Sequence, residues 1–146
     1  MSNSRIIALD LGTKTLGIAM SDTTKTIANA FDTIRFDNED YNSLIKPLKK
    51  IVEENNIEEI VLGYPINMNN SIGMRAEITL EFKKTLENNF DLEVKLQDER
   101  LSSKSADSYM LQGNLSRKKR KQKKDSLAAN IILQTYLDRR WYYGYK

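Results

Sequence analysis

Residues 5–11, RIIALDL, restrict the fold of this chain more than any other segment. Their apolar residues are continuous rather than alternating, the mark of a strand covered on both faces. The stretch GTKT then turns the chain, and residues 16–21, LGIAMS, read as a second strand ended by Asp22. A third strand is expected over 26–35, TIANAFDTIR. Three short strands joined by short turns predict an antiparallel meander.

The periodicity changes after residue 40. Leu44, Ile45, Leu48, Ile51 and Val52 have the spacing of an amphipathic helix over 40–55, with Pro47 placed to kink it or delay its start. Residues 58–62, EEIVL, read as a strand ending at Gly63-Tyr64-Pro65. A helix over 72–88 presents Ile78, Phe82 and Leu86 on one face, and the alternating LEVKLQ at 92–97 reads as a strand. A helix from about 102 to 112 is expected to stop at Gly113-Asn114, and a last helix over 125–138 carries Leu127, Ala128, Ile131, Ile132 and Leu137. The predicted order β-β-β-α-β-α-β-α-α gives an α/β fold: a mixed sheet with helices on its faces. For the C-terminal WYYGYK, packing is favoured over a frayed end or a base-stacking surface.

At 146 residues the chain fits one domain with a real core, without internal repeat or evident linker. No stretch approaches the roughly 18 apolar residues of a membrane span, and the N-terminus lacks a signal-peptide pattern. A cytoplasmic protein with no membrane partner is therefore expected. Cysteine and histidine are both absent. That excludes a Cys/His zinc site, a disulfide framework and any nucleophile served by a histidine base. Catalytic acids and bases must come from Asp, Glu, Lys or Tyr, and a metal would sit on oxygen ligands, which favours Mg2+ or Mn2+.

Three acidic positions fit that chemistry. Asp10 follows four apolar residues and precedes Gly12, at the carboxyl end of a strand, where ligands gather in such sheets. Turn capping and metal binding account for it equally well from this segment alone. Asp98 and Glu99 follow the strand at 92–97, where helix capping is the better reading of the segment by itself. Asp125 opens the last predicted helix, where an N-cap is favoured by the dipole but does not exclude a metal. Asp10, Glu99 and Asp125, arriving from separate elements, suit one or two hard cations and phosphodiester hydrolysis.

Positive charge is concentrated in one place. Arg117, Lys118, Lys119, Arg120, Lys121, Lys123 and Lys124 fall within eight residues that contain no acid. The chain's net +3 becomes −4 once these seven are set aside, so a mildly acidic body carries one very basic segment. It reads as a phosphate-binding loop beside Asp125, with salt-dependent binding, against the alternative of a solvated loop. Lys14 in the GTKT turn, Arg75 near the start of the second helix and Arg100 beside the acids are further candidates for phosphate contacts.

Four segments together resemble the YqgF/RuvX family, proposed pre-16S rRNA nucleases related to RuvC-type Holliday junction resolvases. They are ALDLGTKTLGIAMSD at 8–22, IVLGYPINMNNSIG at 60–73, VKLQDERLSSKSA at 94–106 and KKDSLAANIILQTYLD at 123–138, in the family's order. The resemblance implies a ribonuclease-H-like fold with a five-stranded mixed sheet. It also implies a divalent metal and trimming of the 5′ end of the 16S rRNA precursor. It assigns catalytic and metal-binding roles to Asp10, Glu99 and Asp125, makes Asp98 a less constant neighbour, and gives Gly63 and Pro65 a structural turn. One departure stands out: Thr15 occupies a position where the family often has arginine or serine, which shifts weight onto Lys14.

Other readings compete with a precursor-rRNA nuclease. A resolvase of branched DNA would use the same acids, and a catalytically inactive RNA-binding module in ribosome assembly would keep only the basic segment. A sugar-kinase or actin-like ATPase shares the DxGT turn but needs two such domains. The sequence leaves open a monomer or a homodimer.

Overall fold

The computed structural model describes residues 4–12, 14–37, 40–64, 74–98 and 117–143, including side chains except at 74, 98, 117–126 and 141–143. Five strands form one mixed sheet: β1 (Arg5–Leu11), β2 (Thr15–Ser21), β3 (Ala28–Arg35), β4 (Ile57–Tyr64) and β5 (Glu93–Asp98). Their order across the sheet is β3-β2-β1-β4-β5. The β1–β2 and β2–β3 pairs are antiparallel, as the meander requires, while β4 and β5 run parallel to β1. The expected helix near 102–112 lies outside the described residues, as do Pro65, Glu99 and Arg100.

β1 sits at the centre of the sheet and buries both faces. Ile7, Leu9 and Leu11 point to one side, where Leu48 of α1 (Ile45–Glu54) and Phe82 and Leu86 of α2 (Met74–Asn89) complete a core. Ile6 and Ala8 point to the other side, against Ala129, Ile132, Leu133 and Leu137 of α3 (Arg117–Tyr143). Alanines at 8, 19 and 129, all fully buried, remove side-chain bulk between α3 and the sheet, so the helix packs close.

A 3-10 turn over Tyr41–Leu44 leads into α1, so the helix expected over 40–55 is split. Pro47 falls in the first turn of α1, where an N–H would have no intrahelical partner, and the helix continues past it. The third strand starts at Ala28 rather than 26 because Asp22 organises the preceding turn. The Asp22 carboxylate accepts hydrogen bonds from the Thr24 hydroxyl, from the Thr26 N–H at 2.9 Å and from the Ile27 N–H at 3.1 Å.

The last helix departs most from expectation. It begins at Arg117, so the basic segment expected as a loop is helical backbone, and Asp125 is an interior residue instead of an N-cap. The reason is local: Lys, Arg and Gln are good helix formers, and neither Gly nor Pro interrupts 117–143. At its other end the helix runs on through 141–143. Two side chains fasten α3 across the sheet. Gln134 Oε1 accepts from the Ala28 N–H at 2.9 Å and its Nε2 donates to the Thr26 carbonyl at 3.0 Å. The Tyr136 hydroxyl donates to Glu59 Oε1 at 2.5 Å; burial, together with that carboxylate, pushes the Tyr136 pKa upward and keeps the donor proton in place.

A second lock joins the start of β4 to the β2–β3 turn. Lys25, in the left-handed region at φ 59°, places its ammonium 2.7 Å from Glu58 Oε1, which also accepts from the Ser4 hydroxyl at 2.6 Å. Burial acts to raise the Asp22 and Glu58 carboxyls, but the bonds and charges around them win and hold both below their ordinary values of 3.8 and 4.5. A carboxylate with a depressed folded pKa adds stability above its unfolded value, and that stability is lost as pH falls through the folded value. Acid unfolding should therefore begin as pH drops below about 4.5. Glu58→Gln is expected to narrow the difference in melting temperature between pH 6 and pH 3. An unchanged difference would show that the Lys25–Glu58 lock contributes nothing.

Candidate active site

The parallel strands β1, β4 and β5 all end on one edge of the sheet, at Leu11, Tyr64 and Asp98. Asp10 stands on that edge, half-buried, one residue beyond the last paired row of β1 and β4, Leu9 with Leu62. Strand alternation puts it on the α3 side with Ile6 and Ala8. Its cross-strand partner on β2 is Gly17. On β4 the residue following Leu62 is Gly63, aligned in turn with Gln97 of β5. The pairing of Gly17 with Asp10 is not apparent from the sequence; register across the β1–β2 hairpin is the signal that would have found it.

The turn that follows Asp10 is tightly tied. Gly12 N–H donates to the Thr15 carbonyl at 2.8 Å, and Phe36 N–H donates to the Lys14 carbonyl at 2.9 Å. A Cβ on Gly12 would lie 3.1 Å from the Thr15 carbonyl oxygen and 3.2 Å from its Oγ1, so a larger residue here would crowd Thr15 and press on the turn. Lys14 is exposed on this turn. Arg75, from the first turn of α2, reaches the same edge, and its Nη2 donates to the Leu11 carbonyl at 2.6 Å.

The sequence candidates thus fall into three groups. Asp10, Lys14 and Arg75 are brought to one end of β1. Asp98 closes β5 on the same edge, in register with Tyr64. Asp125 and the basic residues 117–124 lie on the backbone of α3, while Glu99 and Arg100 are outside the described residues. Among the described residues no three acidic side chains gather in one place. No helix among them is long and apolar enough to cross a membrane.

Comparison with known proteins agrees with this architecture. Residues 4–139 match the RuvX family, described as "Holliday junction resolvase". A Geobacillus sp. (strain WCH70) protein named "Putative pre-16S rRNA nuclease" is 47% identical over 134 residues, covering 92% of this chain and 97% of the relative. A protein of the same name from Aster yellows witches'-broom phytoplasma (strain AYWB) is 50% identical over 137 residues, covering 93% of this chain and 90% of the relative. Among solved structures, Thermus thermophilus RuvC in complex with a Holliday junction substrate superposes with a TM-score of 0.58 at 12% identity, covering 94% of this chain and 96% of that one. At that identity the likeness establishes the ribonuclease-H-like fold alone. With the sheet order, the strand-end aspartate and a family match over nearly the whole length in agreement, the chain belongs to the RuvX family of nucleases.

Proposed function

We propose that this protein is a metal-dependent endonuclease that hydrolyses phosphodiester bonds in the precursor of 16S rRNA, with residues 1–146 acting as one nuclease domain. The observation that carries the reading is Asp10, half-buried at the carboxyl end of the central strand and paired with Gly17. A carboxylate so placed favours a hard cation, which would balance its charge. Relatives at 43–50% identity that bear the pre-16S rRNA name favour the RNA substrate.

Asp125 is the proposed second ligand. Gln134 is level with the start of the sheet, because its partner Ala28 pairs with Ser21, whose hydroxyl accepts from the Ile6 N–H. From 134 back to 125 the helix rises about 13 Å, and from Ile6 to Asp10 a strand also advances about 13 Å. The two aspartates therefore come from backbone at similar height. Glu99 is the proposed third ligand, the acid that the family resemblance assigns in the DER motif.

One or two Mg2+ or Mn2+ ions on these oxygens would activate water and stabilise the leaving oxygen. Lys14, Arg100 and the cations Arg117, Lys118, Lys119, Arg120, Lys121, Lys123 and Lys124 are proposed to hold the phosphate backbone. A helix carrying those seven charges would extend past Asp125 by about 12 Å, a reach of several phosphates.

The test sets a precursor-rRNA fragment beside a four-way DNA junction, each with Mg2+, Mn2+ or EDTA. Metal-dependent cutting of the RNA, abolished by EDTA, is expected. Faster cutting of the junction would move the function to a resolvase. Binding of RNA without cleavage, combined with no calorimetric signal for millimolar Mn2+, would leave a binding module.

A further inference from the structure

We infer that Arg75 is a positioning residue for the strand end that carries Asp10, holding the last peptide of β1 instead of a substrate phosphate. Gly12 N–H bonds to Thr15, so by the alternation of an antiparallel pair the peptide groups of even-numbered β1 residues face β2. Those of Leu9 and Leu11 then face β4. Among the described residues the β1–β4 ladder stops at Leu9 with Leu62, so the Leu11 carbonyl lies beyond its last paired row. A half-buried carbonyl with no donor is costly. Arg75 supplies the donor, in a charge-assisted bond of 2.6 Å.

The arginine is itself well anchored. Ala76 and Thr79 beside it are fully buried, and the Thr79 hydroxyl donates to the Arg75 carbonyl at 2.9 Å, fixing the first turn of α2. α2 packs on β4 and β5, so the bond links the end of β1 to a helix seated on its parallel neighbours. β1 advances two residues beyond its ladder with β4, and Asp10 lies in that overhang. On one side the overhang is tied to β2; on the other, this bond takes over where the ladder ends. Losing it would free the Leu11–Gly12 peptide, one residue beyond Asp10. Misplacing a reactive group by about 1 Å costs on the order of 10²-fold in rate.

The inference rests on the role proposed for Asp10, and its test separates the two. Arg75→Ala, Arg75→Lys and Arg75→Gln are made in the full chain. Amide exchange at Gly12 is measured by NMR, with Ile27 in the Asp22 turn as control, and cleavage of the precursor-rRNA fragment is measured alongside. Arg75→Ala should speed Gly12 exchange about tenfold and leave Ile27 unchanged, since only the local opening equilibrium changes. It should lower kcat by about 10²-fold with KM within about twofold. The salt slope of RNA binding should stay the same. Arg75→Lys should recover part of both losses, because its ammonium offers one donor to the same carbonyl.

A phosphate contact would do the opposite: KM would rise, kcat would hold, and the salt slope would fall by about one. That result, or unchanged Gly12 exchange, overturns the inference. If the alanine variant does not fold, the lysine and glutamine variants carry the same readouts. If the wild type cuts no nucleic acid, the function proposed above fails, while the exchange result still decides whether Arg75 holds the strand end.

Discussion

Asp10→Asn is expected to lower metal-dependent cleavage by roughly 10³-fold, the largest effect of any single substitution outside the core. Asparagine keeps the size and shape of the side chain, removes its charge and turns one acceptor oxygen into an N–H donor. Asp10 is half-buried with Gly17 as its cross-strand partner, so the substitution creates neither a clash nor a cavity. The melting temperature should change little, and Mn2+ affinity by calorimetry should fall with activity. Loss of activity with unchanged metal affinity would point to Asp10 acting on substrate rather than on the ion. Equal cleavage by wild type and variant would sink the assignment of the site.

Phe82→Ala should be the most destabilising single change on the opposite face, at about 3–5 kcal/mol. The ring is 1% exposed and lies 6.3 Å from the Tyr41 ring, which in turn lies 5.5 Å from that of Phe36. These three side chains join α2 to the 3-10 turn and the end of β3, so truncation leaves a cavity that few neighbours can fill. A domain of this size has about 5–15 kcal/mol in total, so much of the margin would go. Denaturant unfolding measures the loss. A loss under 1 kcal/mol would show that the aromatic cluster collapses around the gap.

The strands were legible because their signals are local. The continuous apolar run of β1 required cover on both faces, and two separate cores supply it. The meander and the parallel pairs followed from turn lengths and from helices between strands. The basic segment was misread as a loop because a run of like charges suggests a solvated loop, whereas backbone propensity there favours helix. The start of β3 was misplaced by two residues because the carboxylate of Asp22 captures the backbone at 26 and 27. Arg75 looked like a surface cation or a phosphate contact; its bond to Leu11, 64 positions away, is invisible in any local window.

By itself the sequence determined the kind of chemistry available. Without cysteine or histidine, only oxygen ligands remain for a metal, and an acid directly after a buried apolar run marks a strand end. The tertiary structure alone decided what surrounds that acid. Gly17 of β2 is its cross-strand partner, Gly63 follows the last residue of β4 paired with β1, and an arginine from α2 caps the next carbonyl. The reason is physical: side-chain type fixes which bonds a residue can make. Strand register and helix docking fix which residues come near enough to make them.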